Sequence, residues 1–136
     1  MIVDTSAWVE YLRKTGSPIH LALRAEVQAG RPIATPAPVV MELLAGSRTE
    51  SDARKLQRML SRFEIIVPDS LGEFQHAALI QRTCRRAGCT IRSIVDCMVA
   101  AAAVDAARPL LARTRDFEVI ARHTALELVV PEDDCP

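Results

Sequence analysis

Met1-Ile2-Val3-Asp4-Thr5-Ser6-Ala7-Trp8-Val9-Glu10 is the stretch that decides the fold. Ile2 and Val3 form a short apolar run, and Asp4, Thr5 and Ser6 follow at once. A helical pattern then runs through Trp8, Val9 and Leu12. The stretch reads as a buried strand ending in a carboxylate, with a helix starting beside it. In open α/β sheets, ligands bind outside the carboxyl ends of the strands. Asp4 is therefore expected at the lip of a cleft, and the acids that join it there decide the chemistry.

Further strand-then-helix units follow. Ser17 and Pro18 open a second helix that stops at Gly30. Pro32-Ile33-Ala34 reads as a second strand, and the prolines of Thr35-Pro36-Ala37-Pro38 suit the first turn of the helix through Val39–Leu44. Residues 49 to 62 form a polar-faced helix on a Leu56, Met59 and Leu60 stripe. Glu64 to Val67 is the third strand, and a helix from Gly72 to Ala87 ends at Gly88. Ser93 starts the helix over Ile94 to Asp105, Leu110-Leu111 is a fourth strand, Asp116 opens another helix, and Leu126 to Val130 is the fifth strand. About five short strands alternating with helices predict an α/β/α sandwich around a mostly parallel sheet. Residues 1–130 are read as a single domain and 131–136 as a loose tail.

Composition narrows the function. Hydrophobic residues make up 49% of the 136, which fits a globular chain. No apolar stretch reaches membrane-spanning length and no secretory signal is visible, so a cytoplasmic protein without membrane contact is expected. The 17 basic and 17 acidic residues cancel, which argues against a general polyanion-binding surface. Any nucleic-acid contact must come from locally clustered arginine. Cys84, Cys89, Cys97 and Cys135 lack CxxC spacing and read as reduced thiols, and three scattered histidines make zinc a poor fit.

Four acids share one kind of placement, at a strand-to-helix junction or early in a helix: Asp4, Glu42, Asp96 and Asp116. Asp4 and Asp116 also suit N-caps, and Ser93-Ile94-Val95-Asp96 resembles a capping box. Glu42 is the hardest to explain structurally, since it interrupts Val39-Val40-Met41 and Leu43-Leu44 with no basic residue at helical spacing. Among converged acids it is the expected carrier of the most raised pKa. Carboxylates in pairs at about 4 Å repel by roughly 4 kcal/mol at an effective dielectric near 20. A hard divalent cation, Mg²⁺ or Mn²⁺, relieves that repulsion and implies metal-assisted hydrolysis.

Ile-Val-Asp-Thr-Ser-Ala-Trp at 2–8, Val-Val-Met-Glu-Leu-Leu-Ala-Gly at 39–46, Ile-Val-Asp-Cys-Met-Val-Ala-Ala at 94–101 and Arg-Asp-Phe-Glu-Val-Ile-Ala at 115–121 resemble the PIN-domain ribonucleases. Within them the chain resembles the VapC toxins of type II toxin–antitoxin pairs. The resemblance covers essentially the whole chain. It implies one metal site formed by Asp4, Glu42, Asp96 and Asp116, endonucleolytic cleavage of RNA such as tRNA, a homodimer, and neutralisation by a VapB-type antitoxin. Thr114 is a departure: many relatives carry a further acid two residues before the aspartate matching Asp116, which counts against a second metal. Ser6, Arg92 and Thr114 are candidate supporting residues.

Other readings fit less well. A dehalogenase-like phosphatase needs an aspartate where Ser6 stands, and a receiver domain needs a late lysine, absent after Lys55. A catalytically weakened PIN-fold module that binds RNA or protein is the serious rival. The arginine row Arg54, Arg58 and Arg62 reads as a solvated face, and Trp8 as core.

Overall fold

A computed structural model describes residues 1–131, and the expected tail falls almost wholly outside them. Every strand is two or three residues long: β1 (Ile2–Val3), β2 (Ala34–Pro36), β3 (Glu64–Ile66) and β4 (Leu110–Leu111). They form one parallel sheet in the order β3-β2-β1-β4. Successive strand residues point to opposite faces. Ile2 and Val3, like Leu110 and Leu111, are both fully buried, so both faces of the sheet centre are covered. The cover comes from α1 (Thr5–Arg13), α2 (Pro18–Gln28), α3 (Ala37–Ala45), α4 (Glu50–Leu60), α5 (Leu71–Arg86), α6 (Ile94–Asp105) and α7 (Arg115–His123).

The core joins strand residues to one apolar stripe per helix. Trp8 is fully buried, stacks edge-on with Tyr11, and donates its indole N–H to Thr35 Oγ1 at 3.2 Å. That bond satisfies the polar end of an otherwise apolar side chain. Helix α6 is buried along Cys97, Val99, Ala100, Ala101 and Ala103, where small side chains permit close packing on α5. Cys84, Cys89 and Cys97 are free thiols, and burial pushes the Cys97 thiol up to about 12, as suits an inert core cysteine. Cys135 lies outside the described residues.

Two strands differ from expectation. β2 spans Ala34–Pro36 rather than residues 32–34. Pro36 is extended (φ −64°, ψ 143°) and pairs with Ile66, so it ends a strand, and helix α3 starts only at Ala37. A residue before proline is biased toward extended backbone, which carries Thr35 into the strand as well. The expected fifth strand is a single parallel bridge, Leu110 to Leu128. Leu110 exchanges both hydrogen bonds with that segment, at Glu127 and Val129, while Leu111 O is taken by Asp4 N–H. β4 is too short to pair further.

The sheet order fixes where chemistry can occur. The chain steps from β1 to β2 to β3, then crosses back to place β4 on the other side of β1. The carboxyl ends of β1 and β4 therefore flank a topological switch point, where open α/β sheets leave a crevice. Asp4 follows β1 directly, and Ala112 to Thr114 follow β4.

Candidate active site

Asp4 is 2% exposed and caps α1. Both the backbone N–H of Ser6 (3.0 Å) and its hydroxyl (2.6 Å) donate to Asp4 Oδ2. Ser6 Oγ in turn accepts the backbone N–H of Arg113 at 2.9 Å, which ties the start of α1 to the loop after β4. Asp4 Oδ1 is buried and has no hydrogen-bond partner among the described residues. Burial raises the Asp4 pKa, against the opposing pull of the Ser6 bonds. Capping alone leaves half of this carboxylate unexplained.

The other three acids arrive from three helices. Glu42 lies on α3, half-buried, and accepts the Thr5 hydroxyl at 2.8 Å. Asp96 sits in the first turn of α6 and Asp116 in that of α7, both half-buried. Asp116 Oδ2 accepts the backbone N–H of Arg92 at 3.2 Å. Asp96 is pushed up to about 7, first by burial and then by the neighbouring carboxylates of Asp4, Asp116 and Glu42. One aspartate thus feels all the other acids of the set.

Several expectations are corrected here. The acid pushed up to about 7 is Asp96, where the charges of the other three acids add to burial, and the expectation placed on Glu42 is not met; Glu42 accepts the Thr5 hydroxyl. Ser93 makes no side-chain capping bond, so the capping-box reading of Asp96 fails. Asp116 is not the N-cap of α7; Thr114 holds that position, without a side-chain bond. Of the supporting residues, Ser6 touches Asp4, Arg92 reaches Asp116 through its backbone alone, and the exposed Thr114 lines a groove beside Asp116. Sequence reasoning missed Thr5 and Arg113. A hydroxyl next to Asp4 was a signal for Thr5, but its partner Glu42 appears only once α3 packs on α1.

Among the described residues, no three His, Cys, Asp or Glu side chains are already drawn together as metal ligands. The donor set nonetheless fits a hard divalent cation. Its members are carboxylates, and one buried oxygen, Asp4 Oδ1, lacks any partner.

A short parallel sheet that delivers one buried aspartate among three helix-borne acids defines a class of protein. The PIN-domain family model matches residues 1–123, and the chain belongs to that family. Within it, the chain is 40% identical over 129 residues to Ribonuclease VapC11 of Mycobacterium tuberculosis, covering 93% of this chain and 96% of the relative. VapC ribonuclease Mb1587 of Mycobacterium bovis matches with the same identity and coverage. The fold is shared with VapBC2 of Rickettsia felis, solved bound to a promoter DNA fragment, at a TM-score of 0.74 and 21% identity over 94% of this chain and 96% of that one. A toxin–antitoxin complex from Klebsiella pneumoniae shares it at a TM-score of 0.71 and 20% identity, covering 97% of this chain and 98% of that one.

Proposed function

We propose that this chain is the ribonuclease toxin of a toxin–antitoxin pair, a metal-dependent endonuclease inhibited by a VapB-type antitoxin. The ribonuclease and toxin assignment is supported by the VapC relatives. The observation that carries the chemistry is the placement of Asp4: buried at the switch point, with Oδ2 held by Ser6 and Oδ1 unpartnered. Asp4, Glu42, Asp96 and Asp116 would hold Mg²⁺ or Mn²⁺. Such an ion activates a water and stabilises the charge on a phosphodiester in transfer.

The chain's own residues prepare that site. Ser6 fixes the Asp4 carboxylate so that Oδ1 alone is left to accept. Thr5 aims Glu42, and the Arg92 backbone aims Asp116. Asp96, near 7, must release its proton before it can accept a cation. Every side chain that would hold the ion is therefore a carboxylate, with no histidine or cysteine in the set.

The test is cleavage of labelled RNA by purified protein with Mg²⁺ or Mn²⁺, with and without chelator, beside the Asp4→Asn variant. Metal-dependent cleavage lost in the variant is expected. Tight RNA binding without cleavage in any metal would favour the binding module, for which Thr114 in place of an acid is the supporting feature. We also propose a homodimer, the expectation from family resemblance, tested below.

A further inference from the structure

We infer that the groove beside Asp116, walled by Arg92 and Arg115, seats the RNA backbone next to the phosphate being cut. This rests on the ribonuclease reading above and adds to it where the strand lies and which side chains hold it.

The groove has a volume of about 470 Å³, room for a nucleotide-sized group. Thr90 and Arg92 line one side, on the loop that begins at Gly88, whose φ of +84° ends α5. Thr114 and Arg115 line the other side, at the start of α7, with Asp116 alongside them. It therefore abuts the acidic site through a shared residue. The Arg92 and Arg115 side chains are exposed, and neither pairs with a carboxylate among the described residues. Arg113, two residues before Arg115, is by contrast tied to Glu10. The hydroxyl of Thr114 does not cap α7, so the first N–H groups of that helix keep their partial positive charge toward the groove.

Charge gives the groove its occupant. A phosphodiester nearing four carboxylates meets like charge, only part of which a divalent ion offsets. Two arginines from separate segments, each a planar donor fork suited to phosphate, supply attraction one step from that repulsion. The chain's zero formal net charge supplies no general attraction for a polyanion. Arg54 and Arg58 on α4, and Arg62 just past its end, do not line this groove.

The experiment measures initial rates on a labelled single-stranded oligoribonucleotide with Mn²⁺, over a range of KCl, for the unaltered chain, Arg92→Ala, Arg115→Ala, the double variant and Arg58→Ala. Arg92→Ala keeps the backbone N–H that holds Asp116, so kcat should stay within about twofold while KM rises about five- to tenfold for each groove variant. The slope of log(kcat/KM) against log salt should become shallower by about 0.7 for each phosphate that an arginine no longer neutralises. Arg58→Ala should behave like the unaltered chain. Unchanged KM and slope in the double variant overturn the inference while the ribonuclease reading stands, as does a loss carried by Arg58→Ala. Normal RNA kinetics with weakened antitoxin inhibition would assign the arginines to that partner and also overturn it. If the unaltered chain cleaves no RNA, the ribonuclease reading has failed, and fluorescence anisotropy with the same oligonucleotide decides the groove alone. Binding lost in the double variant upholds it, and no binding overturns it.

Discussion

The two oxygens of Asp4 have separate tasks, and substitutions can part them. Oδ2 caps α1 through Ser6, and asparagine caps a helix about as well as aspartate. Asp4→Asn should therefore keep the fold while removing cleavage, whereas Asp4→Ala should also lose about 1 kcal/mol of stability with the cap. Asp96→Asn should likewise abolish cleavage. Retained cleavage in Asp4→Asn or Asp96→Asn, at unchanged melting temperature, would sink the assignment. Asp96 adds a pH dependence with a definite sign. Its folded pKa, about 7, lies above the roughly 3.9 of an unfolded aspartate, so between those values the folded chain binds more protons. Stability in chelator is greatest toward the low end of that window and falls as pH rises through about 7. The raised pKa of Asp4 acts in the same direction. Calorimetric melting at pH 5.5 and pH 8 should show the drop, and Asp96→Asn should reduce it. Mn²⁺ binding should displace a proton at pH 6.5, so titration heats should differ between buffers of unequal ionisation enthalpy. Equal heats would mean no proton leaves.

Trp8 shows why the helices are legible in the sequence and the strands less so. Its apolar spacing with Val9 and Leu12 announces α1, because an apolar repeat every three or four residues marks a helix, although Leu12 itself stays exposed. The helix boundaries read from sequence for α5 and α6 fall within a residue of those observed. Strands of two or three residues offer no period to count. The apolar pattern thus puts β2 two residues early, and the Leu126–Val130 run, apolar enough for a strand, makes only one bridge. At the site, the four acids are legible from the strand-to-helix junctions and the family's motifs. Their ranking is not, since neighbours in sequence suggest a buried Glu42, while packing between helices makes Asp96 the perturbed one. Stability should follow the same division. Trp8→Ala leaves a void at the α1–sheet contact and strands Thr35, and should cost about 3–5 kcal/mol by urea denaturation. Arg58→Ala on the exposed face of α4 should stay within about 0.5 kcal/mol.

Across the whole molecule, apolar side chains remain in solvent on helices and just past the edge strand: Met41 is 56% exposed, Val67 64% and Leu71 72%. A second copy and an antitoxin would each cover such surface. Light scattering at micromolar concentration should give twice the 14.9 kDa chain mass, and antitoxin should raise the melting temperature. A monomer with no partner-dependent stabilisation would count against both. The sheet order has one more consequence, for a chain still being made. β1 gains β2 early, but its other neighbour is β4, and the Ser6–Arg113 bond that steadies Asp4 joins residues 107 apart. Domains assemble as synthesis proceeds from the N-terminus, so β1 must wait for almost the whole domain to emerge. Asp116 emerges later still. A ribosome stalled before Leu110 therefore carries a nascent chain in which β1 lacks its β4 neighbour and Ser6 lacks its Arg113 tie. The switch-point topology delays assembly of the site until nearly the whole domain has emerged, which leaves time for an inhibitor to be present first.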